Sequence, residues 1–409
     1  MLGCFPIKKK APVPDSFTGR GFLINHKIKG NDYGMKVLIA CGGTGGHINP
    51  GLAIAGIIAS HLPDTEFLFA GTPNGLEAEL VPAAGYKIEF VKVAGFQRDF
   101  SPESIKKNVQ AAGYLLTAGK RAKEIIRGFQ PDLAIGTGGY AAGPVIRAAQ
   151  QLGIPTALHE QNAFPGVTNK LLAKKADAVM LNFEAAKQYF PETAKTIVTG
   201  LPVRGSLKKR RREQARQLLE FQEGMTILSF GGSQGAKCLN DMMPDLMAWH
   251  LASDMKINHI HAYGRHGKDT FMQELAAKGV DANDSRLRVS EYIHDMDVCL
   301  AAADVVISRA GASTLSELEA VGRASVLIPY PSAAENHQYH NAMVLGKAGA
   351  AVVIEQKDLT LDRMKETVKN LHDEPEKRML MGQRAGALSL GDVDERIWKT
   401  VAPLLKVNP

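Results

Sequence analysis

Cysteine is scarce in this 409-residue sequence, which contains four of them. Cys4, Cys41, Cys238 and Cys299 lie far apart and form no C-x-x-C pair, so neither a disulfide framework nor a zinc site is indicated. No apolar run approaches the roughly 20 residues that a membrane-spanning helix needs, and residues 1–14 lack the apolar core of a signal peptide. We therefore expect a chain of the reducing cytoplasm, either soluble or peripheral to a membrane.

A large excess of charge of one sign is also missing, since the formal net charge is +7, but the basic residues are unevenly distributed. One predicted helix carries Lys106, Lys107, Lys120, Arg121, Lys123 and Arg127, and residues 208–212 (KKRRR) follow later. Such runs are usually solvated faces. The alternative is attraction to anionic lipid head groups, because apolar residues could lie beside the first cluster. These are Leu115, Leu116, Ile125, Ile126 and Phe129. Nucleic acid is not an expected partner, because a binding motif and interleaved aromatic residues are both missing.

Short apolar strands alternate with helices along the chain, and this alternation starts twice. The first start is residues 35–41 (MKVLIAC) and the second is residues 225–230 (MTILSF). Six or more strands separated by helices predict a mostly parallel, doubly wound sheet in the first half, and the restart predicts a second, similar one. Residues 1–34 are polar, basic and aperiodic, so we expect a poorly ordered extension, and Met35 could be the true start.

Glycine-rich turns follow several of these strands. Residues 42–47 (GGTGGH), 136–140 (GTGGY) and 231–236 (GGSQGA) each connect a strand to a helix, which lets a ligand approach the backbone closely. The first is not a dinucleotide fingerprint, because the sixth position counted from Gly43 is Ile48. It is not a P-loop either, because Leu52 and Ala53 stand where Lys and Ser or Thr are required.

The segment 308–338 combines two neighbouring strand ends that carry polar groups. A tight turn after the first strand opens a helix with small residues, whose free N–H groups suit a phosphate. Glu317, one turn further, suits paired sugar hydroxyls as hydrogen-bond donors. After the second strand, residues 334–338 (AENHQ) open the next helix. Open α/β sheets bind ligands at this edge, so a nucleotide site is predicted here.

Five motifs in this order resemble the MurG family of N-acetylglucosaminyltransferases over nearly all of residues 35–405. They are GGTGGH (42–47), GTGGY (136–140), HEQN (159–162), GGSQGA (231–236) and SRAGASTLSE (308–317). The resemblance implies an α/β chain with two Rossmann-like doubly wound domains facing across a cleft, the glycosyltransferase B fold. Residues 35–203 would bind the lipid acceptor, residues 204–390 would bind UDP-N-acetylglucosamine (UDP-GlcNAc), and residues 391–409 would pack back towards the first domain.

The resemblance also implies an activity and its partners. The enzyme would move N-acetylglucosamine (GlcNAc) from UDP-GlcNAc to lipid I, the undecaprenyl-linked peptidoglycan precursor, with inversion, to give lipid II. It would lie peripherally at the cytoplasmic face of an anionic membrane. Neither a metal ion nor a cofactor is expected. Asp295 and Asp297 superficially resemble a metal-binding D-x-D pair, but they begin a helix, where carboxylates favour the helix dipole.

Individual roles follow from the same resemblance. Ala312, Ser313, Thr314, Leu315 and Ser316 at the helix start, together with Ser233, would surround the diphosphate, and Arg204 would add positive charge. Ile293 would contact uracil, Glu317 the ribose and Gln338 the sugar. Thr44, Gly45, Gly46 and Asn162 would complete the cleft beside the acceptor.

The attacking hydroxyl must lose a proton, and His47 is the preferred base because histidine is the residue type best suited to exchange protons near neutral pH. The alternative for His47 is that it only braces the glycine turn. His159 is a weaker rival that we expect to hydrogen-bond the backbone, and Glu160 is a further possibility.

Some positions depart from the family pattern. Leu201 stands where Asn is usual, and His337 stands where a second Gln is often found. The alternatives are a related transferase that acts on diacylglycerol, a nicotinamide-dependent oxidoreductase, and a catalytically silent nucleotide-sugar binding protein. The missing G-x-G-x-x-G opposes the second alternative, and the presence of His47, Arg204, Glu317 and Gln338 opposes the third.

Overall fold

A computed structural model describes residues 34–93, 101, 117–203, 207 and 211–409. Residues 1–33 of the predicted extension, Arg204 and the first part of the basic helix, including Lys106, Lys107, Leu115 and Leu116, lie outside the described residues.

Seven parallel strands form the first sheet in the described part of the chain. They are β1 (Lys36–Ala40), β2 (Glu66–Gly71), β3 (Lys87–Phe90), β4 (Leu133–Gly136), β5 (Thr156–Glu160), β6 (Ala178–Leu181) and β7 (Thr196–Val198). Their spatial order is β3-β2-β1-β4-β5-β6-β7. Strands β1 and β4 are almost entirely apolar because helices cover both faces of a parallel sheet.

Helices connect these strands in the order that the sequence predicts. They are α1 (Gly45–His61), α2 (Glu77–Ala83), α3 (residues 117–129 as described), α4 (Ala142–Gln151) and α5 (Val167–Ala173). Helix α1 begins at Gly45, within the segment 42–47 that the sequence predicts as a turn. Gly45, Gly46 and His47 therefore belong to its first turn, and Thr44 is the residue before it.

A second sheet repeats the arrangement. Its strands, as far as the structure describes the chain, are β8 (Met225–Phe230), β9 (Ile257–Ala262), β10 (Leu287–Ser290), β11 (Val305–Ser308), β12 (Ala324–Leu327) and β13 (Ala351–Val353). All pair in parallel, in the order β10-β9-β8-β11-β12-β13. The prediction of two doubly wound α/β domains is thus confirmed.

The helices of the second half flank this sheet. They are α6 (Arg212–Leu218), α7 (Lys237–Asn240), α8 (Met243–Leu251), α9 (Gly264–Gly267), α10 (Phe271–Ala277), α11 (Met296–Ala302), α12 (Ala312–Val321), α13 (His337–Lys347), α14 (Leu361–Asp373), α15 (Pro375–Leu388) and α16 (Val393–Val401).

The last helix crosses back to the first domain. Ile397, Trp398 and Val401 of α16 join the core that β1 and α1 build. Trp398 stacks on His61 at the end of α1, with 4.3 Å between ring centroids. The chain therefore passes between the domains twice, once after β7 and once before α16.

Helix α3 corrects part of the membrane prediction. Ile125 and Ile126 are buried in the core of the first domain, and Phe129 packs partly against it. These side chains therefore cannot insert into a lipid surface. Among the described residues, no helix has both the length and the apolar character to cross a bilayer.

Candidate functional site

Four of the five predicted motifs lie at the points where each sheet changes its winding direction, and HEQN lies at the end of β5, next to β4. In the first sheet this point lies between β1 and β4, which lead into the glycine turns at 42–44 and 137–140. In the second sheet it lies between β8 and β11, which lead into residues 231–236 and 309–311. Such points open a crevice at the carboxyl ends of the strands, where ligands bind in open α/β sheets.

The two glycine turns of the first domain pack directly on each other. A Cβ atom on Gly139 would lie 2.2 Å from the Gly42 carbonyl oxygen, and one on Gly138 would lie 2.5 Å from the His47 Nδ1 atom. Both residues also have positive φ, at 112° for Gly138 and 86° for Gly139. Only glycine fits at these positions, and the consequence is that the His47 ring rests against the second turn.

A hydrogen-bond chain fixes which nitrogen of His47 carries the proton. The Gln161 amide nitrogen donates to the carbonyls of Thr137, at 2.8 Å, and His159, at 3.0 Å. The Gln161 Oε1 atom therefore faces His47 Nδ1, at 3.2 Å, as an acceptor. Nδ1 must carry the hydrogen in the neutral ring, so the lone pair belongs to Nε2. Nε2 is the nitrogen that a base needs.

The two rivals of His47 have structural roles. His159 is fully buried and its Nε2 lies 2.9 Å from the Gly200 carbonyl oxygen, which confirms the predicted backbone bond. Burial lowers the pKa of His159 to about 4, although the Gly200 bond acts in the opposite direction. Glu160 is buried and accepts hydrogen bonds from the N–H groups of Asn162 and Gly166 and from the side chains of Asn162 and Asn169. Its carboxylate organises the loop before α5, so it does not fit the role of base.

The start of α12 is uncapped, as an anion site would require. Gly311 precedes the helix in an extended conformation and makes no side-chain cap, so the N–H groups of Ala312, Ser313 and Thr314 have no helical acceptor. The Leu315 N–H donates to the Gly311 carbonyl, and the Leu315 side chain is fully buried. Neither group is therefore available to a ligand, contrary to the prediction for Leu315. Glu317 follows on the same helix and is half-buried.

The remaining donor-side residues are distributed around this helix. Ser233 is exposed in the turn after β8. Ile293 is buried in the core of the second domain, so its backbone is the part that could meet a base. Gln338 lies in the first turn of α13, where its Oε1 accepts from the N–H groups of Ala310 and Tyr330. Its amide nitrogen remains to donate to a ligand.

The loop before α13 brings strained backbone to the cleft. Glu335 and Asn336 both have positive φ, at 53° and 52°, which is costly for residues other than glycine. Burial lowers the pKa of the following His337, a bond to the Ala334 carbonyl raises it, and His47 lowers it further. His337 of the second domain and His47 of the first therefore lie within electrostatic range of each other.

Direct hydrogen bonds join the two domains beside this loop. Asn341 accepts from the Ala163 N–H at 2.8 Å and donates to the Asn162 Oδ1 at 3.1 Å and to the Ala310 carbonyl at 3.2 Å. The Ser316 hydroxyl donates to the Asn182 Oδ1 at 3.2 Å. Asn162 and Ser316, predicted as ligand contacts, thus also join the domains.

Sequence reasoning missed three residues of this region: Gln161, Asn341 and Glu77. The HEQN motif contains Gln161, and Asn341 lies one helical turn after Gln338 on α13, so both had a local signal. Glu77 had none, since its contacts come from Gly43 and Thr72.

The acidic pair in the second domain has a structural explanation. Both oxygens of Asp295 lie 2.9 Å from the guanidinium nitrogens of Arg288, and Asp295 immediately precedes α11, as predicted. In the part of the chain that the structure describes, no group of three or more His, Cys, Asp or Glu side chains is arranged to hold a metal ion.

Two family models match the chain. The glycosyltransferase family 28 N-terminal domain matches residues 37–181, and the family 28 C-terminal domain matches residues 226–397. These spans contain the two sheets except for β7 and the first residues of β1 and β8.

Curated relatives and a solved structure match across both domains. The UDP-N-acetylglucosamine--N-acetylmuramyl-(pentapeptide) pyrophosphoryl-undecaprenol N-acetylglucosamine transferase of Acetivibrio thermocellus is 42% identical over 373 residues, which are 91% of this chain and 99% of that protein. The transferase of the same name from Desulfitobacterium hafniense strain DCB-2 is 43% identical over 366 residues, 89% of this chain and 98% of that protein. The crystal structure of Acinetobacter baumannii MurG has a TM-score of 0.70 and 28% identity, over 88% of this chain and 97% of that one.

Proposed function

This chain belongs to glycosyltransferase family 28, within the group of MurG N-acetylglucosaminyltransferases, and we propose on that premise that it converts lipid I to lipid II. It transfers GlcNAc from UDP-GlcNAc to the C4 hydroxyl of the N-acetylmuramyl residue of the lipid-linked pentapeptide. Residues 35–203 form the acceptor domain and residues 204–390 the donor domain, while residues 391–409 return to the first.

The observation that carries this proposal is that Asn341 joins the loop at Asn162 and Ala163 of the first domain to the Ala310 carbonyl, just before α12 of the second. On one side the uncapped start of α12 offers N–H groups and the positive end of a helix dipole. On the other side His47 presents a basic nitrogen from the first turn of α1. The two sides together supply what a glycosyl transfer needs, an anion site for the leaving group and a base for the nucleophile.

The reaction steps follow from this arrangement of an anion site and a base. The acceptor oxygen attacks the anomeric carbon of GlcNAc, the bond from that carbon to the diphosphate oxygen breaks, and the hydroxyl proton passes to His47 Nε2. UDP leaves with the bonding electron pair, and the α12 dipole stabilises the charge that develops on it. Attack from the face opposite the leaving group inverts the anomeric centre, so an α-linked donor gives a β-1,4 linkage.

On the donor side, the N–H groups of Ala312, Ser313 and Thr314 bind the diphosphate, and Ser233 contacts it from the turn after β8. Glu317 accepts hydrogen bonds from the ribose hydroxyls, and the Gln338 amide donates to the sugar. Arg204, outside the described residues, keeps its proposed role beside the diphosphate. On the acceptor side, Thr44, Gly45, Gly46 and Asn162 line the cleft.

Transfer of labelled GlcNAc tests this function. Purified protein receives radiolabelled UDP-GlcNAc with a short-chain lipid I analogue, and with diacylglycerol in a parallel reaction. We expect label on the lipid I analogue alone, because the relatives that match the acceptor half are named for the N-acetylmuramyl acceptor. Transfer to diacylglycerol would overturn the acceptor assignment while leaving the donor site in place. Transfer to neither acceptor would contradict the proposed activity.

We also propose that helix α5 docks on an anionic membrane surface, which places the enzyme peripherally at the cytoplasmic face. Val167, Lys170, Leu171 and Lys174 have the spacing of one helix face. Val167 and Leu171 are 53% and 65% exposed, and Lys174 is exposed beside them. An apolar stripe with flanking lysines is the pattern of an interfacial helix. This face directly follows the loop at Asn162, so it would bring the cleft close to a lipid-linked acceptor.

Vesicle flotation tests the membrane contact. We expect the protein to float with vesicles that contain anionic lipid and much less with neutral ones, and Leu171→Asp to lose most of this binding. Leu218→Asp is the matched control, because Leu218 is 64% exposed on α6 of the other domain. Equal flotation on neutral and anionic vesicles would contradict the electrostatic part of the proposal. Unchanged flotation of Leu171→Asp would contradict the role of α5.

A further inference from the structure

Glu77, the first residue of α2, lies beneath the first glycine turn with its side chain completely buried. Its Oε2 accepts from the Gly43 N–H at 2.9 Å. Its Oε1 accepts from the Thr72 N–H at 2.8 Å and from the Thr72 hydroxyl at 2.6 Å. One carboxylate therefore joins the turns that follow β1 and β2.

The surrounding backbone is shaped to this side chain. A Cβ atom on Gly42, Gly71 or Gly75 would lie 2.3, 2.4 or 2.2 Å from an atom of Glu77. Gly42 after β1 and two glycines of the β2–α2 connection thus leave just enough room for one glutamate. Such close packing leaves the carboxylate little freedom to move.

The carboxylate is ionised in this environment. Burial alone raises the pKa of Glu77, but the hydrogen bonds from Thr72 and Gly43 together lower it below its ordinary value. Carboxylates that accept several backbone N–H bonds are commonly stabilised in this way. A buried negative charge therefore lies directly behind the glycine turn.

Glycine turns that open a helix are typical anion sites, because their N–H groups point at the ligand. Here the Gly43 N–H already binds an anion that the protein itself supplies. The chain continues from Gly43 to Thr44, whose carbonyl accepts the His47 N–H at 3.0 Å. Holding Gly43 therefore holds the first turn of α1.

We propose that Glu77 is a positioning residue for the transfer: its carboxylate fills the anion position of the first glycine turn and thereby sets the position of His47. Glu77 also makes this turn a poor site for a diphosphate, which leaves the start of α12 as the phosphate site. The part of this proposal that concerns His47 rests on the function proposed above. The part that concerns the contact of Glu77 with the glycine turn is independent of that function.

Glu77→Gln tests the proposal, because the amide keeps the shape but replaces one acceptor oxygen with a donor that must face an N–H group. We expect hydrogen exchange of the peptide covering residues 41–48 to accelerate about tenfold or more, while exchange of residues 311–318 is unchanged. A displacement of about 1 Å can cost up to a hundredfold in rate, so kcat should fall roughly tenfold to a hundredfold. The KM for UDP-GlcNAc should stay within about twofold, since the donor site is on the other domain.

Two further variants separate positioning from packing. Glu77→Ala leaves a space in which added formate can replace the carboxylate, and we expect formate to restore part of kcat. Glu317→Ala should give the converse pattern, a raised KM for UDP-GlcNAc with kcat little changed at saturation. An unchanged KM would remove the proposed ribose role of Glu317.

The outcomes distinguish the inference from the proposed function. If Glu77→Gln keeps both the wild-type exchange and the wild-type kcat, the positioning role is wrong. Exchange that rises throughout the first domain, with no effect of formate on Glu77→Ala, would reduce Glu77 to a stability residue and also overturn it. If the wild type transfers nothing to the lipid I analogue, the proposed function fails, and the exchange measurement still reports whether Glu77 holds the turn.

Discussion

Replacing His47 by Ala is expected to lower kcat for transfer to the lipid I analogue by roughly a hundredfold to a thousandfold, within the range that a general base contributes. The Gln161 chain fixes the proton on Nδ1 and leaves Nε2 as the basic nitrogen. Removing the imidazole leaves the acceptor hydroxyl without that base. Initial rates at saturating substrates measure the loss.

The control for this experiment is His372→Ala. His372 lies on α14, where it contacts Asp373 and not the cleft, so its removal should leave kcat within about twofold. The affinity of His47→Ala for UDP-GlcNAc should also be preserved, since the proposed donor contacts all belong to the second domain. A variant that retains kcat within about threefold would show that His47 only braces the glycine turn, and the base would have to be sought elsewhere in the cleft.

Replacing Glu319 by Gln is expected to make the protein more stable at pH 8 and to flatten the dependence of its stability on pH. Glu319 lies on α12, one turn beyond Leu315, and is 8% exposed. It lines a small cavity at the junction of the domains together with Asn182, Gly200, Ser316 and Leu390. Burial raises the pKa of Glu319 from its ordinary 4.5 to about 8.

The sign of the effect follows from proton binding. Between pH 4.5 and about 8 the unfolded chain loses this proton while the native protein keeps it, so native stability falls as pH rises through that window. The stabilising contribution is complete below pH 4.5 and is lost by about pH 8. At 1.36 kcal/mol per pK unit, the loss is of order 4 to 5 kcal/mol at most.

Thermal unfolding at several pH values between 5 and 9 measures this dependence. Glutamine cannot ionise, so Glu319→Gln should lose most of the decline seen in the wild type. Glu376→Gln is the matched control, because Glu376 is exposed in the first turn of α15 and should leave the decline intact. Parallel wild-type and Glu319→Gln curves would mean that Glu319 has an ordinary pKa in the native state.

Much of the fold could be predicted because a parallel sheet leaves a direct mark on the sequence. Its strands are buried on both faces, so they read as short apolar runs, and the glycine turns follow them immediately. The sequence predicts a start of α1 that is too late, because glycine is a poor helix former. In the structure Gly45 and Gly46 nevertheless belong to the first turn, directly after Thr44. The burial of Ile125 and Ile126 could not be predicted, because the spacing of apolar residues on a helix is the same whether they face a protein core or a membrane.

The candidate site divides in the same way. GGTGGH, HEQN and the α12 start are local signals, since glycines and small residues show where the backbone must approach a ligand. Gln161, Glu77 and Asn341 act through partners that lie 24, 34 and 178 residues away in the chain, and such pairings leave no periodicity to detect.

The sequence by itself determined the α/β class, the two repeated halves and the glycine turns of the candidate site, because each depends on local composition and strand length. Only the tertiary structure decided the tautomer of His47, the internal anion beneath its turn, the polar contacts that join the domains and the return of α16 to the first core. Each of these depends on groups that folding brings together from distant parts of the chain. Their hydrogen bonds and charges are set by the distances between these groups and by their burial.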